Sequence, residues 1–256
     1  ALKSGYKSSE RVLFTAADGT TVCYGALQFP ADFDPAKKYP VIVDIYGGPD
    51  SGGHSERFGS WDRKTDYGFI VATFAGRWSG GRGKAMTDSL YLRLGETEVN
   101  DLAEGVKAID KLSFVDAARI GITGTSYGGT NSVMCLLKYP DLFQAAVAAS
   151  GGYHWRNYDT IYTERYMRTP LANPEGYESG SPFPYVKNLK GWLLLYYGTA
   201  DNNVHPSNSL SLIQALQRAG KYFEVQVGPD QGHTGVRFER IMEFFVERLM
   251  ISGPRK

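Results

Sequence analysis

Gly124-Thr125-Ser126-Tyr127-Gly128-Gly129 is the stretch whose residue types and spacing could do chemistry. The apolar run Arg119-Ile120-Gly121-Ile122-Thr123 precedes it, and a helical pattern through Val133, Leu136 and Leu137 follows. A G-x-S-x-G between a strand and a helix is a nucleophile elbow, a strained turn that lifts the serine hydroxyl out at the carboxyl edge of a sheet. The glycines suit that turn because side chains would collide with the neighbouring strand and helix. The same letters also fit a glycine-rich turn with a capping serine. The catalytic reading therefore needs partners elsewhere in the chain.

Where this elbow is used, the order along the chain is serine, acid, histidine. The four histidines are His54, His154, His205 and His233. Order removes His54, which precedes Ser126. The acid is expected just after a strand, and the apolar run 192–197 leads into Gly198-Thr199-Ala200-Asp201. His205 sits four residues past Asp201 in the same loop, badly placed to bridge that acid and a serine on another strand. His233 follows the last strand, in Asp230-Gln231-Gly232-His233-Thr234, a position that suits a base. The roles follow. Ser126 attacks an acyl carbon, His233 takes its proton and returns it to the leaving group, and Asp201 orients the imidazole.

An oxyanion hole is also required. One donor is the backbone N–H of Tyr127, the residue after the nucleophile. The second comes from the loop after an earlier strand, here Tyr46-Gly47-Gly48-Pro49. Tyr46 could present its hydroxyl there, or could be a packed aromatic at a strand end.

The elements that must position these groups are legible as an alternation. Strands are expected at 11–15, 22–29, 40–46, 69–74, 120–123, 145–149, 192–197 and 223–227, with a hairpin turn at Asp18-Gly19. The near-continuous apolar run 40–46 fits a strand buried on both faces. Helical spacing is clearest over 96–112, where Val99, Leu102, Val106 and Ile109 recur, and also over 206–219 and 235–250, the last with Ile241, Phe244, Phe245 and Leu249 as its stripe. The expected fold is an α/β-hydrolase, a mostly parallel central sheet covered by helices on both faces. Residues 151–190 carry few strand signals and read as a helical and loop insertion over the carboxyl edge, where ligands bind in such folds.

Composition agrees with one enzyme-sized domain over residues 1–256, with residues 1–15 as a linker from an upstream domain. The net charge is +1 with signs interspersed, so neither a nucleic-acid stripe nor an acidic tail is present. No apolar run approaches the roughly 18 residues of a membrane span, and the opening residues lack the apolar segment of a signal peptide. The two cysteines, Cys23 in a strand and Cys135 in the helix after the elbow, have no metal-ligand spacing and read as buried free thiols. The 17 tyrosines suggest an aromatic-lined pocket.

With these residues in hand, the chain resembles the prolyl oligopeptidase family of serine peptidases, and most of all the catalytic domain of its dipeptidyl peptidase branch. The resemblance rests on Lys38-Tyr39-Pro40, Asp44-Ile45-Tyr46-Gly47-Gly48-Pro49, Arg93-Leu94-Gly95, the elbow, Tyr162-Thr163-Glu164-Arg165-Tyr166-Met167, Gly198-Thr199-Ala200-Asp201-Asn202-Asn203-Val204-His205, and Gly232 beside His233. The Tyr162–Met167 run is far more specific than the elbow. The resemblance supports Ser126, Asp201 and His233 as the triad and makes Tyr46 the side-chain oxyanion donor. It implies that Trp155, Tyr158 and Tyr162, completed by Tyr127 and Val204, form an apolar slot for proline or another small residue before the scissile bond. It also implies that Asn203 hydrogen-bonds the substrate's backbone carbonyl. A flat aromatic box suits a pyrrolidine ring and excludes long or charged side chains. Tyr158, Tyr162 and Tyr166 also recur every four residues, as on a helical packing face.

Three positions depart from close relatives. Thr125 stands where tryptophan is usual, Tyr197 replaces a histidine, and Gly152 lies where a valine contributes to the slot. Family members also carry a β-propeller ahead of this domain, which in the dipeptidyl branch clamps the substrate's amino terminus. Residues 5–15 read like the segment leading out of it. Two explanations stay open: a catalytic domain from a larger peptidase, or a stand-alone hydrolase.

The expected function is a serine peptidase cleaving short peptides after proline or alanine through an acyl-enzyme. The alternative is an esterase acting on small or aromatic acyl esters with the same triad, since ester cleavage needs less help for the leaving group. A silent binding module is disfavoured by the presence of all three triad residues. The triad requires no cofactor or metal. The partners to expect are a short peptide or small acyl compound, with a homodimer and the upstream propeller as further associations. The resemblance favours a periplasmic or secreted location.

Overall fold

The computed structural model describes residues 7–52 and 61–253. His54 and the first residues of the expected linker lie outside the described residues. Eight strands form one sheet: β1 Glu10–Thr15, β2 Val22–Gln28, β3 Tyr39–Asp44, β4 Ile70–Ala75, β5 Val115–Thr125, β6 Ala145–Ala149, β7 Trp192–Gly198 and β8 Glu224–Gly228. Their order is β1-β2-β4-β3-β5-β6-β7-β8. The β1–β2 and β2–β4 pairs are antiparallel and every later pair is parallel.

Inner strands are apolar on both faces because both are covered. Val41, Val43, Ile120, Ile122, Ala146, Ala148, Leu193 and Leu195 point to one core. It is shared with the helices α2 Thr97–Asp110, α3 Tyr127–Lys138 and α6 Ser207–Arg218. Ile42, Ala145, Val147, Ala149, Leu194 and Tyr196 point to the other, under α7 Phe238–Phe245 and the π-helical turn Val246–Ile251. The period of two along each strand divides one apolar run between two cores. On α2, Val99, Leu102, Val106 and Ile109 are all fully buried. Cys23 and Cys135 are buried free thiols.

The remaining helices are short: α1 Lys84–Asp88, and, within the segment after β6, α4 Thr160–Met167 and α5 Pro174–Ser179, flanked by 3-10 turns at Trp155–Asn157 and Phe183–Asn188. That segment is the expected strand-free insertion. No helix among the described residues is long and apolar enough to cross a membrane.

Two boundaries moved by more than two residues. β5 begins at Val115, five residues before the apolar run, because Val115 pairs with Tyr39 of β3; residues 116–119 fall in a register shift, and pairing with β3 resumes at Ile120. The last helix begins at Phe238, not at 235, because the chain before it is held extended against the elbow. A Cβ at Gly235 would lie 2.8 Å from Thr125 Oγ1.

Register brings the carboxyl ends together. Thr125 pairs with Ala149, Ala149 with Tyr196, and Gly198 with Gly228. The loops carrying Ser126, Asp201 and His233 therefore leave one sheet edge, from β5, β7 and β8, with β6 between the first two.

Candidate active site

Ser126 lies between β5 and α3 with φ 61° and ψ −124°, a region that costs a non-glycine residue on the order of 1–3 kcal/mol. Its N–H donates to the Ala149 carbonyl at 2.9 Å, and its own carbonyl accepts from Gly129 at 2.9 Å and Thr130 at 3.1 Å. The turn can be this abrupt only if nothing projects from the backbone that passes the Ile45 carbonyl. A Cβ at Gly124 would come within 2.3 Å of the Ile45 carbonyl oxygen, and one at Gly128 within 2.1 Å of the same atom. The glycines are thus dictated by the close passage of the end of β3.

The acid and the imidazole are joined. His233 Nδ1 donates to Asp201 Oδ2 at 2.8 Å, and Asp201 Oδ1 accepts the backbone N–H groups of Asn203 and Val204, each at 2.9 Å. Asp201 is buried, while His233 keeps part of its ring exposed. The two loops are zipped by Thr199 N–H to Gly228, Ala200 N–H to Gln231, and Asp230 N–H to Thr199 Oγ1. Gly198 permits this, since a Cβ there would sit 2.2 Å from the Gln231 carbonyl oxygen. With Nδ1 committed to the carboxylate, Nε2 is the ring nitrogen left to take a proton.

The histidine loop is also tied to the elbow. Ser150 Oγ donates to the Thr234 carbonyl at 2.7 Å, and Gly235 backs onto Thr125. No hydrogen bond joins the Ser126 hydroxyl to the His233 ring among the described residues. The flanking residues, not the two reactive groups, make the contact between these loops.

Beside Ser126 is a small pocket, partly open to solvent. Its walls are Tyr46, Tyr127, Trp155, Tyr158, Tyr162 and Val204, all nominated from the sequence, together with Thr130 and Gly152. The rings interlock: Tyr127 and Trp155 at 5.6 Å, and Tyr158 and Tyr162 at 5.5 Å in an edge-on pair. Trp155 is fixed by its Nε1–H to the Gly180 carbonyl at 2.8 Å. Tyr166 packs on Tyr162 and does not line the pocket.

Tyr46 is half exposed, and its hydroxyl has no hydrogen-bond partner among the described residues. Its backbone carbonyl is pinned by Asn131 Nδ2 at 3.0 Å. A held backbone with an unengaged hydroxyl beside the serine is what a side-chain oxyanion donor requires. Asn203 lies outside the pocket wall but borders it, since Tyr158 donates to its Oδ1 at 3.1 Å. That bond leaves the Asn203 NH₂, the half that could donate to a carbonyl.

Glu98, Thr130 and Asn131 were not singled out from the sequence. Glu98 is fully buried, and its Oε1 accepts from the Tyr127 hydroxyl and from the Gly95 N–H at 2.6 Å. Burial pushes its carboxyl up to about 7, and also raises the Tyr127 phenol well above its ordinary value. The signal was present: Glu98 shares the α2 face of Leu102 and Gly105, so a carboxylate interrupts an apolar stripe.

The sequence profile of the prolyl oligopeptidase family matches residues 60–250. The chain belongs to the prolyl oligopeptidase family. Among curated relatives it is 36% identical to human dipeptidyl peptidase 8 over 241 residues, which covers 90% of this chain and 26% of that protein. It is 39% identical to a probable dipeptidyl-aminopeptidase B of Talaromyces marneffei over 231 residues, covering 86% of this chain and 25% of that one. Among solved structures, a putative dipeptidyl aminopeptidase IV from Bacteroides ovatus superposes with a TM-score of 0.91 at 35% identity, covering 96% of this chain and 36% of the other. Porphyromonas gingivalis dipeptidyl peptidase 4 superposes with a TM-score of 0.89 at 35% identity, over 95% and 36% of the two chains. The prolyl oligopeptidase assignment places the chain among serine-peptidase hydrolases of α/β-hydrolase fold. The chain spans about a quarter of the length of the curated relatives it matches.

Proposed function

We propose that this chain is a peptidase catalytic domain that cleaves short peptides after proline or alanine, with Ser126 as nucleophile, His233 as general base and Asp201 as its orienting acid. The observation that carries this reading is the Asp201–His233 hydrogen bond, on loops tied to the strained Ser126 and beside an aromatic pocket.

In the proposed reaction Ser126 Oγ attacks the carbonyl carbon while its proton passes to His233 Nε2. The oxyanion is met by the Tyr127 N–H and the Tyr46 hydroxyl. The proton then moves to the departing amine as the C–N bond breaks, leaving an acyl-serine. Water, deprotonated by the same imidazole, releases the acid and restores the serine. The serine–histidine hydrogen bond forms as substrate binds, as apo catalytic contacts commonly tighten. The residue before the scissile bond occupies the pocket, and the Asn203 NH₂ donates to a substrate carbonyl.

The test compares hydrolysis of an alanyl-prolyl anilide with that of a short-chain ester, for the wild type and Ser126→Ala. The peptidase reading expects turnover of the anilide that Ser126→Ala removes. Ester turnover without anilide turnover favours an esterase instead, and turnover of both by Ser126→Ala overturns the nucleophile assignment.

A further inference from the structure

Behind the pocket wall, Glu98 Oε1 collects two donors that lead back to the site. The first is the Tyr127 hydroxyl. The Tyr127 ring lies against the loop that carries Tyr46: the two ring centroids are 6.2 Å apart, and a Cβ at Gly48 would lie 3.2 Å from Tyr127 Cγ. The same ring meets Trp155 at 5.6 Å. The second donor is the Gly95 N–H at 2.6 Å. Gly95 runs so close to Gly180 that a Cβ on it would lie 2.4 Å from the Gly180 carbonyl oxygen, the acceptor that holds Trp155 Nε1. One carboxyl oxygen therefore ties Tyr127, the Tyr46 loop and the Trp155 anchor to α2.

The other oxygen is bare. Glu98 Oε2 is buried without a hydrogen-bond partner among the described residues. A charge there has nothing to replace its lost hydration. The titratable side chains that face Glu98 are Tyr127, Cys135 and Lys138 from α3 and Tyr162 from α4. Burial keeps the thiol and both phenols protonated, so Lys138 is the cation among them. Desolvation outweighs that cation and the two hydrogen bonds, and it raises the Glu98 carboxyl to about 7.

We infer that Glu98 is a positioning residue for the oxyanion hole, acting through Tyr127, and that it works as a neutral carboxyl: the charge left when its proton passes to solvent opposes the oxyanion and lowers kcat. This rests on the reading of Ser126, Tyr127 and Tyr46 as an acyl-transfer site. The bond from Tyr127 survives ionisation, because a carboxylate accepts more strongly than a carboxyl. The ring then stays in place and KM changes little. The charge sits one tyrosine side chain from the developing oxyanion, in buried surroundings that screen it poorly.

The experiment measures kcat and KM between pH 5.5 and pH 8.5 on an alanyl-prolyl anilide and a short-chain ester, for the wild type, Glu98→Gln and Glu98→Leu. An oxyanion forms on either substrate, so the ester carries the test even where the anilide is not cleaved. Glu98→Gln keeps an acceptor for Tyr127 and cannot ionise. The ratio of its kcat to that of the wild type is expected to rise about tenfold from the acid to the alkaline end, with the KM ratio flat. Taking the ratio cancels groups that titrate alike in both proteins. Glu98→Leu has neither acceptor nor charge, and its kcat is expected to lie about 10–100-fold below that of Glu98→Gln at every pH.

A kcat ratio for Glu98→Gln that does not change with pH, a change confined to KM, or a Glu98→Leu protein as active as Glu98→Gln overturns the inference. Infrared spectroscopy of the wild type decides the case in which the variants do not fold. A protonated-carboxyl band is expected to vanish in step with an alkaline fall in kcat. A band that persists, or a kcat that stays level while the band vanishes, overturns the inference as well. Ester turnover without anilide turnover fails the peptidase reading alone. Turnover of neither substrate, or turnover retained by Ser126→Ala, fails the site itself and the inference with it.

Discussion

The Tyr127 hydroxyl donates to Glu98 Oε1, a carboxyl with no exposure to solvent, directly behind the residue that follows the nucleophile. This bond fixes the far end of a side chain whose ring walls the pocket and whose N–H begins α3 next to Ser126. Glu98 Oε2 has no partner among the described residues, so the neutral carboxyl is the form burial favours.

Glu98 consequently makes stability depend on pH. Its carboxyl is raised from 4.5 to about 7 on folding, chiefly by desolvation, with Tyr127, the Gly95 N–H and the charge of Lys138 acting the other way. Below about 4.5 it is protonated in both states. Between that value and about 7 the folded protein holds a proton the unfolded chain has released, so its contribution is lost as pH rises, by on the order of 3 kcal/mol in full. Glu98→Gln lacks this titration. Urea unfolding at pH 5 and pH 8 is expected to show the wild type losing stability relative to Glu98→Gln, and an unchanged difference contradicts the buried-proton picture.

Asp201→Asn is expected to retain the fold, because its carbonyl oxygen can still accept from Asn203 and Val204. It can no longer fix the His233 tautomer, so kcat falls by about 10⁴ while KM changes little. Steady-state kinetics separate the two parameters, and a loss confined to KM would assign Asp201 to binding.

Tyr46→Phe removes a hydroxyl with no other hydrogen-bond partner among the described residues and keeps the ring. A fall in kcat of about 10²–10³, with the thermal midpoint unchanged, is expected of a lost oxyanion donor. Unchanged kcat would leave Tyr46 as a pocket wall alone.

Gly128→Ala and Gly152→Ala form a contrast in stability. The first drives a methyl to within 2.1 Å of the Ile45 carbonyl oxygen, the second into ordinary van der Waals contact with Trp155 and Thr130. Urea unfolding is expected to show Gly128→Ala destabilised by at least about 2 kcal/mol and Gly152→Ala nearly neutral. Similar losses in both would mean the elbow relaxes freely.

The sheet was legible because inner strands carry unbroken apolar runs, Val41–Val43 in β3 and all of β6, and α2 repeats its apolar residues at helical spacing. The start of β5 was not, since Asp116–Arg119 is largely exposed and combines two alanines with two charged residues, and its strand geometry comes from the tertiary frame. At the site, Ser126, Asp201 and His233 could be nominated because element ends and chain order constrain them. Glu98 stands out as a carboxylate in an apolar stripe, but its tie to Tyr127 depends on α2 packing beneath α3, a relation no local pattern carries. Thr130 became visible only as a wall of the pocket, beside the Gly152 that the resemblance had already marked.

The most direct test is to react the protein with a fluorophosphonate and map the modified residue by mass spectrometry, in the wild type and in His233→Ala. The expected result is one phosphonyl group per chain, on Ser126, formed far more slowly in the variant. A stable adduct on another residue, no adduct, or equal rates in both proteins would contradict Ser126 and His233 as a nucleophile–base pair.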